Sequence, residues 1–252
     1  MNLLGKTICV FFLMAATVSA GMTLDGTDDF IPASSYLGIS GTAARSVSFW
    51  FNSTDTAGTD HLLGWGDNGT GAGEGFRFSQ ENGVIWGRFN TGVTAQWGTG
   101  LNDGAWHHFT YSFPSAGVNQ DAVVYIDGSL STGTFANGTT ALNTEATKVV
   151  TMGRFPGANT GYYSGNVNEV AIWSTNLSAA EQQQLYNARV KRLPLQISPA
   201  NLVVYLPLDD VADGASGDGI SFFEFKGNAF TGDNGANNTG LTAKAEAILT
   251  YP

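Results

Sequence analysis

The chain has 252 residues, of which 42% are hydrophobic and only 13% are charged, about half the roughly 25% that is usual for a soluble domain. Lysine and arginine number 11 against 21 aspartates and glutamates, which gives a formal net charge of −10 at pH 7. No basic cluster stands out beyond residues 189–192, so this charge disfavours nucleic acid or anionic lipid as a partner. A chain of this length can form one large all-β domain or two small ones.

The first twenty residues are typical of a secretory signal peptide. Lys6 supplies a short basic start, residues 8–14 form an apolar core, and the small residues 18–20 form a cleavage site. We therefore expect cleavage between Ala20 and Gly21, and a secreted, cell-surface or periplasmic location. The apolar run is shorter than the roughly 20 residues that a bilayer span needs, and no second run follows, so we expect no membrane span.

The only cysteine, Cys9, lies inside this signal segment. The mature chain is therefore expected to contain no disulfide, although it enters a compartment in which disulfides form. Packing must then stabilise the fold, with or without the help of a metal ion. The excess of acidic residues leaves carboxylates for a hard cation such as Ca²⁺, and it equally serves solubility.

From Gly21 onward, short segments with a period of two are separated by Gly, Asn, Asp and Ser, which is the pattern of a β-sandwich or barrel. In the predicted strand 46–52, Val47, Phe49 and Phe51 share one face, and Trp50 points to the other. Further strands are predicted at 75–79, 84–89, 106–113, 122–126, 148–152, 166–173 and 202–206.

Two turns and one helix have specific sequence signals. Asn82-Gly83 and Asp127-Gly128 follow apolar runs and suit type I′ hairpin turns, in which both central residues take positive φ. Asp127 is therefore interpreted as a turn residue. Ser178 and Glu181 have the spacing of a capping box, which predicts one short helix over residues 179–191.

Six segments follow one another in a characteristic order, at residues 24–30, 47–51, 62–66, 103–111, 124–128 and 165–173. Together they resemble the laminin-G-like jelly roll of the concanavalin-A-like lectin and glucanase superfamily, in the variant common among bacterial exported proteins. The resemblance covers roughly residues 24–187. It implies an all-β sandwich of two facing antiparallel sheets that binds glycans or proteins, often near a calcium ion at one rim. The ligand does not follow from the fold.

After the helix, the sequence has a predicted strand at 202–206 and then a stretch rich in Gly, Asp and Asn. Residues 202–210 and 225–232 resemble what such domains often carry before their first strand. We therefore expect a signal peptide at 1–20, a jelly-roll domain at 21–193, and a C-terminal segment at 194–252 that supplies a closing strand and a Gly/Asn-rich tail. A surface appendage, or the start of a truncated second copy, is the alternative.

The sequence offers no catalytic pair. His107 and His108 are adjacent on a predicted strand and point to opposite faces, so we interpret both as structural. Retaining glucanases of this superfold need two carboxylates about 5–5.5 Å apart, on alternate positions of one strand. Glu169 has Ala171 and Trp173 at those positions, so we expect that the protein is not an enzyme.

Aromatic residues beside glycine-rich segments are candidates for ligand contact, because sugar rings stack on aromatic faces. The candidates are Trp65, Trp97, Tyr162 and Tyr163. Packing within the core is the alternative role for each of them.

Oxygen-rich turns provide candidates for a calcium site. The candidates are Asp67, Asn68, Asp209 and Asp210. Their spacing fits no EF-hand loop, and a solvated acidic turn without a metal is the alternative.

Three functions remain open at this point. The favoured one is a non-catalytic module that recognises a carbohydrate or another cell-surface ligand, so that the partner is a glycan or an extracellular protein. The second is a structural or adhesive protein of an envelope or particle, without sugar binding. The third is a polysaccharide-degrading glycosidase or lyase, for which the sequence lacks an acid pair.

Overall fold

The computed structural model describes residues 20–67, 69, 71, 73–90, 92–187, 193–208, 221–222, 230–231 and 242–245. Its first nine strands are β1 (Ala20–Asp25), β2 (Ile31–Pro32), β3 (Arg45–Asn52), β4 (Asp60–Gly66), β5 (Gly75–Glu81), β6 (Val84–Arg88), β7 (Thr94–Trp97), β8 (His107–Phe113) and β9 (Val123–Ile126). The others are β10 (Ser129–Ser131), β11 (Thr134–Ala136), β12 (Lys148–Met152), β13 (Ser164–Trp173), β14 (Leu202–Leu206), β15 (Ser221–Phe222), β16 (Phe230–Thr231) and β17 (Thr242–Ala245). The helix α1 spans Ala179–Asn187, and single 3₁₀ turns lie at Asn119–Asp121 and Leu193–Leu195.

These strands form two large antiparallel sheets. Sheet I has eight strands in the order β10-β9-β8-β3-β13-β1-β17, with β14 also paired to β13. Sheet II has seven strands in the order β11-β7-β6-β5-β4-β12-β2, and β15 pairs with β16 separately. The predicted all-β sandwich of two antiparallel sheets with one short helix is confirmed.

The core lies between the two sheets and is rich in aromatic rings. Phe49 and Phe109 of sheet I stack with their centroids 5.1 Å apart, and Phe78 of sheet II lies 5.2 Å from Phe109. Val47, Phe49 and Phe51 are all at most 1% exposed, as the period of two predicts. Fully burying a side chain of this kind stabilises the fold by about 1.5–3 kcal/mol.

The outer face of sheet I is covered by α1. Trp50 stacks on Tyr186 of the helix at 5.6 Å and lies 4.8 Å from the His108 ring. The capping box is present, because the amide of Ser178 donates to Oε2 of Glu181 at 2.8 Å and the amide of Glu181 donates to Oγ of Ser178 at 3.3 Å. The helix is confirmed over Ala179–Asn187, and the remainder of its predicted length lies outside the described residues.

Both predicted hairpin turns have the expected backbone. Asn82 and Gly83 have φ values of 47° and 74°, and Asp127 and Gly128 have φ values of 50° and 73°. Positive φ at both central residues is the requirement of a type I′ turn, so these two turns are confirmed.

Part of the C-terminal segment joins sheet I. Val170 of β13 lies opposite Leu206 of β14, and Ala171 lies opposite Tyr205. The strand β17 pairs with β1, so that Gly21 lies opposite Lys244. The division of the chain at residue 193 stays a prediction, as does the signal peptide, whose residues 1–19 lie outside the described part of the chain.

Candidate ligand-binding site on sheet II

Three of the four aromatic residues predicted to contact a ligand belong to the core instead. Trp65 and Tyr163 are 0% exposed, and Trp97 is 2% exposed. A ring without an exposed face cannot stack on a sugar, so the structure corrects the prediction for these three residues. Tyr162 is partly exposed, and its role in binding stays a prediction.

Glycines elsewhere in the chain make room for the buried rings of Trp65 and Trp97. A side chain at Gly38 would place its Cβ 2.3 Å from the Trp65 ring, and one at Gly133 would lie 2.4 Å from Nε1 of Trp97. Glycine is required at these positions because the large rings fill the space. Proximity to glycine in the sequence was therefore a misleading signal of exposure.

The predicted calcium residues are only partly described. Asn68, Asp209 and Asp210 lie outside the described residues, and their calcium predictions remain untested. Asp67 groups with Glu74 and Glu145, whose carboxylate oxygens all lie within 4.8 Å of one another. Carboxylate oxygens are ligands that Ca²⁺ prefers, and three of them would supply part of the six to eight oxygens that it takes. Sequence reasoning did not find Glu74 or Glu145. The pairing of β4 with β5 brings Glu74 to Asp67, and a hydrogen bond from the amide of Glu145 to the carbonyl of Glu74 brings Glu145 there from a distant segment.

A second acidic group has a structural role in the fold. Asp25, Asp28 and Asp29 also place one carboxylate oxygen each within 4.8 Å of the others. Asp29 is fully buried, and its Oδ2 accepts the backbone amide of Asp25 at 2.8 Å. This bond orders the turn that follows β1.

A cavity of about 340 Å³ lies on the outer face of sheet II. Alternation along two strands places its side chains there: Phe76 and Phe78 of β5 face the core, so Arg77 faces outward. The same alternation on β6 turns Arg88 outward, and the register sets it directly opposite Arg77. The residues that line the cavity include His61, Arg77, Arg88, Asn90, Thr94 and Phe155.

Arg77 is held at the base of this cavity by neutral oxygen atoms. Its Nη1 donates to the backbone carbonyl of Asp67 at 2.9 Å, and its Nη2 donates to Oδ1 of Asn90. Nδ2 of Asn90 donates to the same carbonyl of Asp67 at 3.1 Å. Gly75 leaves room for this network, since a Cβ there would lie 2.6 Å from Oδ1 of Asn90. The carbonyl of Asp67 thus joins the cavity to the acidic group at Glu74 and Glu145.

Arg88 lies at the open side of the cavity beside a tryptophan. Its guanidinium lies 4.6 Å from the centroid of the Trp86 ring, which is a cation–π contact. Its Nε donates to Oγ of Ser79 at 3.0 Å, and its Nη2 forms a salt bridge with Oε2 of Glu81 at 2.5 Å. These bonds hold Arg88 against the sheet, although about 26% of its side chain is exposed.

His61 is a neutral polar group of the cavity wall. Burial, together with the positive charges of Arg77 and Arg88, lowers the pKa of His61 to about 3. Its ring meets Phe155 edge-on at 4.9 Å, and Phe155 in turn lies 4.6 Å from the guanidinium of Arg77. Within the described part of the chain, Nδ1 of His61 has no hydrogen-bond partner.

Trp86 is the aromatic residue that sequence reasoning missed. It is partly exposed, on the outer face of sheet II, while its neighbours Ile85 and Gly87 face inward. The alternation over residues 84–89 contains this signal, because Ile85 and Phe89 are the apolar positions of one face and Trp86 belongs to the other. Together with Arg88, Trp86 forms a flat surface beside the cavity.

The polar residues considered for catalysis have structural partners. His107 binds Oδ2 of Asp127 through Nδ1 at 2.8 Å, and it lies 3.1 Å from Oδ1 of Asp103 through Nε2. His108, 1% exposed, shares a hydrogen bond of 2.9 Å with Oγ of Ser48. These contacts join the start of β8 to the turn after β9, and they fix the face under α1.

Glu169 lies within sheet I. It is 8% exposed and accepts a hydrogen bond of 2.5 Å from the hydroxyl of Tyr205. Ala171 and Trp173 follow it on the same strand, and both are fully buried. The bond from Tyr205 joins β13 to β14, which is a structural role.

Two facing antiparallel sheets with a polar cavity on the outer face of one define a jelly-roll β-sandwich protein. Residues 25–181, more than half of the chain, match the model of the family Laminin_G_3, described as concanavalin A-like lectin/glucanases superfamily. The chain belongs to this family, which confirms the resemblance seen in the sequence. No curated protein matches the chain. None of the helices in the described residues combines the length and apolarity needed to cross a bilayer.

Several solved structures share this fold. A protein from Bacteroides ovatus ATCC 8483, provisionally described as carbohydrate binding, matches with a TM-score of 0.61 and 15% identity, over 91% of this chain and 60% of its own length. The heptameric SAP-like pentraxin of Limulus polyphemus matches with a TM-score of 0.61 and 11% identity, over 94% and 99% of the two chains. The CBM40 domain of the Ruminococcus gnavus IT-sialidase matches with a TM-score of 0.52 and 12% identity, over 68% and 100%. At these identities the likeness shows the fold alone.

Proposed function

We propose that this protein is a non-catalytic binding module that holds a carbohydrate on the outer face of sheet II. The observation that carries the proposal is the partly exposed ring of Trp86 beside a cavity with polar walls. A sugar presents an apolar face to an aromatic ring and hydroxyl groups to hydrogen-bonding side chains. Trp86 supplies the ring, Arg88 supplies a polar group beside it, and Asn90 is a polar residue of the cavity lining.

The size and lining of the cavity support this function. Its volume of about 340 Å³ lies at the lower end of the roughly 300–1,000 Å³ typical of small-molecule sites. Phe155 adds a second partly exposed ring at the opposite wall. The solved relatives include a protein described as carbohydrate binding and a module of a sialidase, which supports a sugar as the ligand class.

We also propose that the protein acts after export, as a secreted, cell-surface or periplasmic protein. The support is the sequence of the first twenty residues, which has the three regions of a signal peptide. Mass spectrometry of the protein recovered from a secreting host tests this: the proposal requires an N-terminus at Gly21. An intact N-terminus at Met1 in the exported fraction would contradict it.

Affinity electrophoresis through gels that contain single polysaccharides tests the binding function. We expect at least one polysaccharide to retard the mature protein, residues 21–252, and Trp86→Ala to weaken this binding about tenfold or more. The control is Leu130→Ala, which removes a 64% exposed apolar side chain from β10 of sheet I and should bind as the wild type does.

Three results would overturn this function. Equal retardation of the wild type and Trp86→Ala would place the sugar elsewhere on the protein. Failure of every polysaccharide to retard the wild type would favour the structural or adhesive alternative. Release of shorter saccharides during the assay would indicate a glycosidase or lyase.

A further inference from the structure

We propose that the saccharide bound on sheet II carries an anionic group, a carboxylate or a sulfate ester, and that Arg77 and Arg88 bind it. The inference rests on the proposed function of the same cavity and adds the chemical class of its ligand. Three observations support it: the incomplete hydrogen bonding of Arg77, the contrast with a second buried arginine, and a cavity lining with two arginines and no carboxylate among the described residues.

Arg77 is a buried cation without a charged partner. It is 6% exposed, and its hydrogen bonds go to a backbone carbonyl and to the amide oxygen of Asn90. Among the described residues no carboxylate forms a salt bridge with it, and its Nε has no hydrogen-bond partner. Burying a charge is costly unless the charge is paired and hydrogen-bonded. An anion in the cavity would provide the missing partner.

Arg45 shows what a structural arginine looks like in this protein. It is 0% exposed, and all three of its nitrogens donate hydrogen bonds of 2.7–3.0 Å. Four of these bonds end on backbone carbonyls and one on Oγ1 of Thr144. It lies away from the residues that line the cavity. Every guanidinium nitrogen of the structural arginine thus has a hydrogen-bond partner. Arg77 differs from Arg45 because its Nε has no partner among the described residues and because it lines the cavity.

The described residues that line the cavity include two arginines and no carboxylate, although the whole chain has a net charge of −10. Arg77 and Arg88 lie directly opposite each other on β5 and β6, where like charges repel. Burial first, and then the charge of Arg88, lowers the pKa of Arg77 to about 10, so its guanidinium remains charged at neutral pH. Glu81 neutralises Arg88 alone, and Asp67 attracts Arg77 from outside salt-bridge distance. An anion between the two arginines would relieve their repulsion.

The geometry selects an anion that belongs to a sugar. A guanidinium presents its N–H groups as a planar fork that matches the oxygens of a carboxylate or sulfate. His61 also lines the cavity and is neutral at neutral pH, so it adds no positive charge beside the arginines. The rings of Trp86 and Phe155 beside these groups provide apolar surfaces for the saccharide that carries the anion.

Isothermal titration calorimetry with matched pairs of saccharides tests this inference. One pair is trigalacturonate and its methyl ester, in which a methyl group removes the charge of each carboxylate. The other is an oligosaccharide of chondroitin and the same oligosaccharide with sulfate esters, which tests sulfate as the source of the anion. We expect the anionic member of at least one pair to bind about tenfold or more tightly than its partner, because hydrogen bonds to charged groups are the stronger ones.

Variants then assign this preference to the arginines. We expect Arg88→Gln to reduce the preference to less than about threefold, with Arg77→Gln acting in the same direction. Arg77 is buried, so Arg77→Gln can fail to fold. Arg88→Gln is therefore the variant that decides whether the arginines cause the preference. The control is Lys148→Gln, which removes one positive charge from β12 of the same sheet without touching the cavity lining and should retain the full preference.

The outcomes separate the two proposals. Equal binding of acid and ester, and of the sulfated and unsulfated forms, would overturn the inference and leave the binding function intact. A preference that Arg88→Gln leaves unchanged would also overturn it. Binding of none of the four saccharides, together with no retardation by any polysaccharide, would overturn both. Equal competition by acetate or inorganic sulfate at the same concentration would show a bare anion site and contradict a saccharide ligand.

Discussion

The guanidinium of Arg77 donates a hydrogen bond of 2.9 Å to the backbone carbonyl of Asp67. Through this bond Arg77 is connected to the acidic group at Asp67, Glu74 and Glu145. A change in the position of Asp67 therefore also acts on the residue that we assign to the ligand.

The calcium prediction at Asp67 can be tested by thermal unfolding. Three carboxylates within 4.8 Å repel one another, so a bound cation would stabilise the folded state by mass action. We expect Ca²⁺ to raise the melting temperature of the mature protein relative to chelator, with KCl of equal ionic strength as the control. Glu145→Gln should reduce this shift. An equal melting temperature with Ca²⁺ and with chelator would contradict the calcium prediction.

The contact between the start of β8 and the turn after β9 should make stability depend on pH through His107. Burial opposes its protonation, but the hydrogen bonds and charges of Asp127 and Asp103 outweigh burial and raise the pKa of His107. The imidazolium therefore stabilises the fold fully below the unfolded-state pKa of about 6.5, and this contribution is lost as the pH rises through the folded-state value.

Urea unfolding of His107→Gln and the wild type at pH 5.5 and pH 9 measures this effect. The deficit of the variant in the free energy of unfolding should be larger at pH 5.5. Asp103→Asn should show a smaller deficit of the same sign, because one of the two carboxylates remains. A deficit that is equal at both pH values would mean that His107 contributes packing alone.

Asp60 should destabilise the fold at neutral and alkaline pH. Burial, and then the charge of Asp55, raises the pKa of Asp60 to about 7. A raised carboxyl pKa means that the folded state keeps the proton, so stability falls as the pH rises from about 4 to about 7. We expect Asp60→Asn to raise the free energy of unfolding by about 2 kcal/mol at pH 8 and to have little effect at pH 4. A lower free energy of unfolding for Asp60→Asn than for the wild type at pH 8 would contradict this account.

The predicted closing role of the C-terminal segment can be tested by deletion. Val204, Tyr205 and Leu206 of β14 are all 0% exposed, and Tyr205 donates to the buried Glu169. Removing residues 195–252 removes β14 and exposes the part of β13 that pairs with it. We therefore expect a melting temperature at least about 10 °C lower or no cooperative unfolding. As a milder variant, Leu206→Ala should cost about 2–5 kcal/mol. An unchanged melting temperature for the shortened protein would identify the segment as an appendage.

Features of the fold that depend on local pattern could be predicted from the sequence. Positive φ at Asn82 and Asp127 follows from the residue that comes after each of them, and the capping box at Ser178 lies within four residues. The inward face of β3 follows from a period of two. In each case the physical cause acts between near neighbours in the chain.

The candidate site could not be predicted in the same way, because it depends on pairing between distant segments. His61, Arg77 and Phe155 meet only after β4, β5 and the segment after β12 have paired and packed. Trp97 packs on Phe109 of the opposite sheet, and Trp65 packs on the distant segment at Gly38, so the sequence pattern does not reveal the burial of either ring. Trp86 was accessible to sequence reasoning, since alternation alone places it on the face opposite Ile85.

The most direct test of the central claim is the position of a bound saccharide. Backbone amide chemical shifts of the mature protein can be followed while an oligosaccharide of a polysaccharide that retards it is added. The proposed site predicts that the largest changes fall on Arg77, Trp86, Arg88 and Asn90. Largest changes on the outer face of sheet I, with these four amides unmoved, would contradict it.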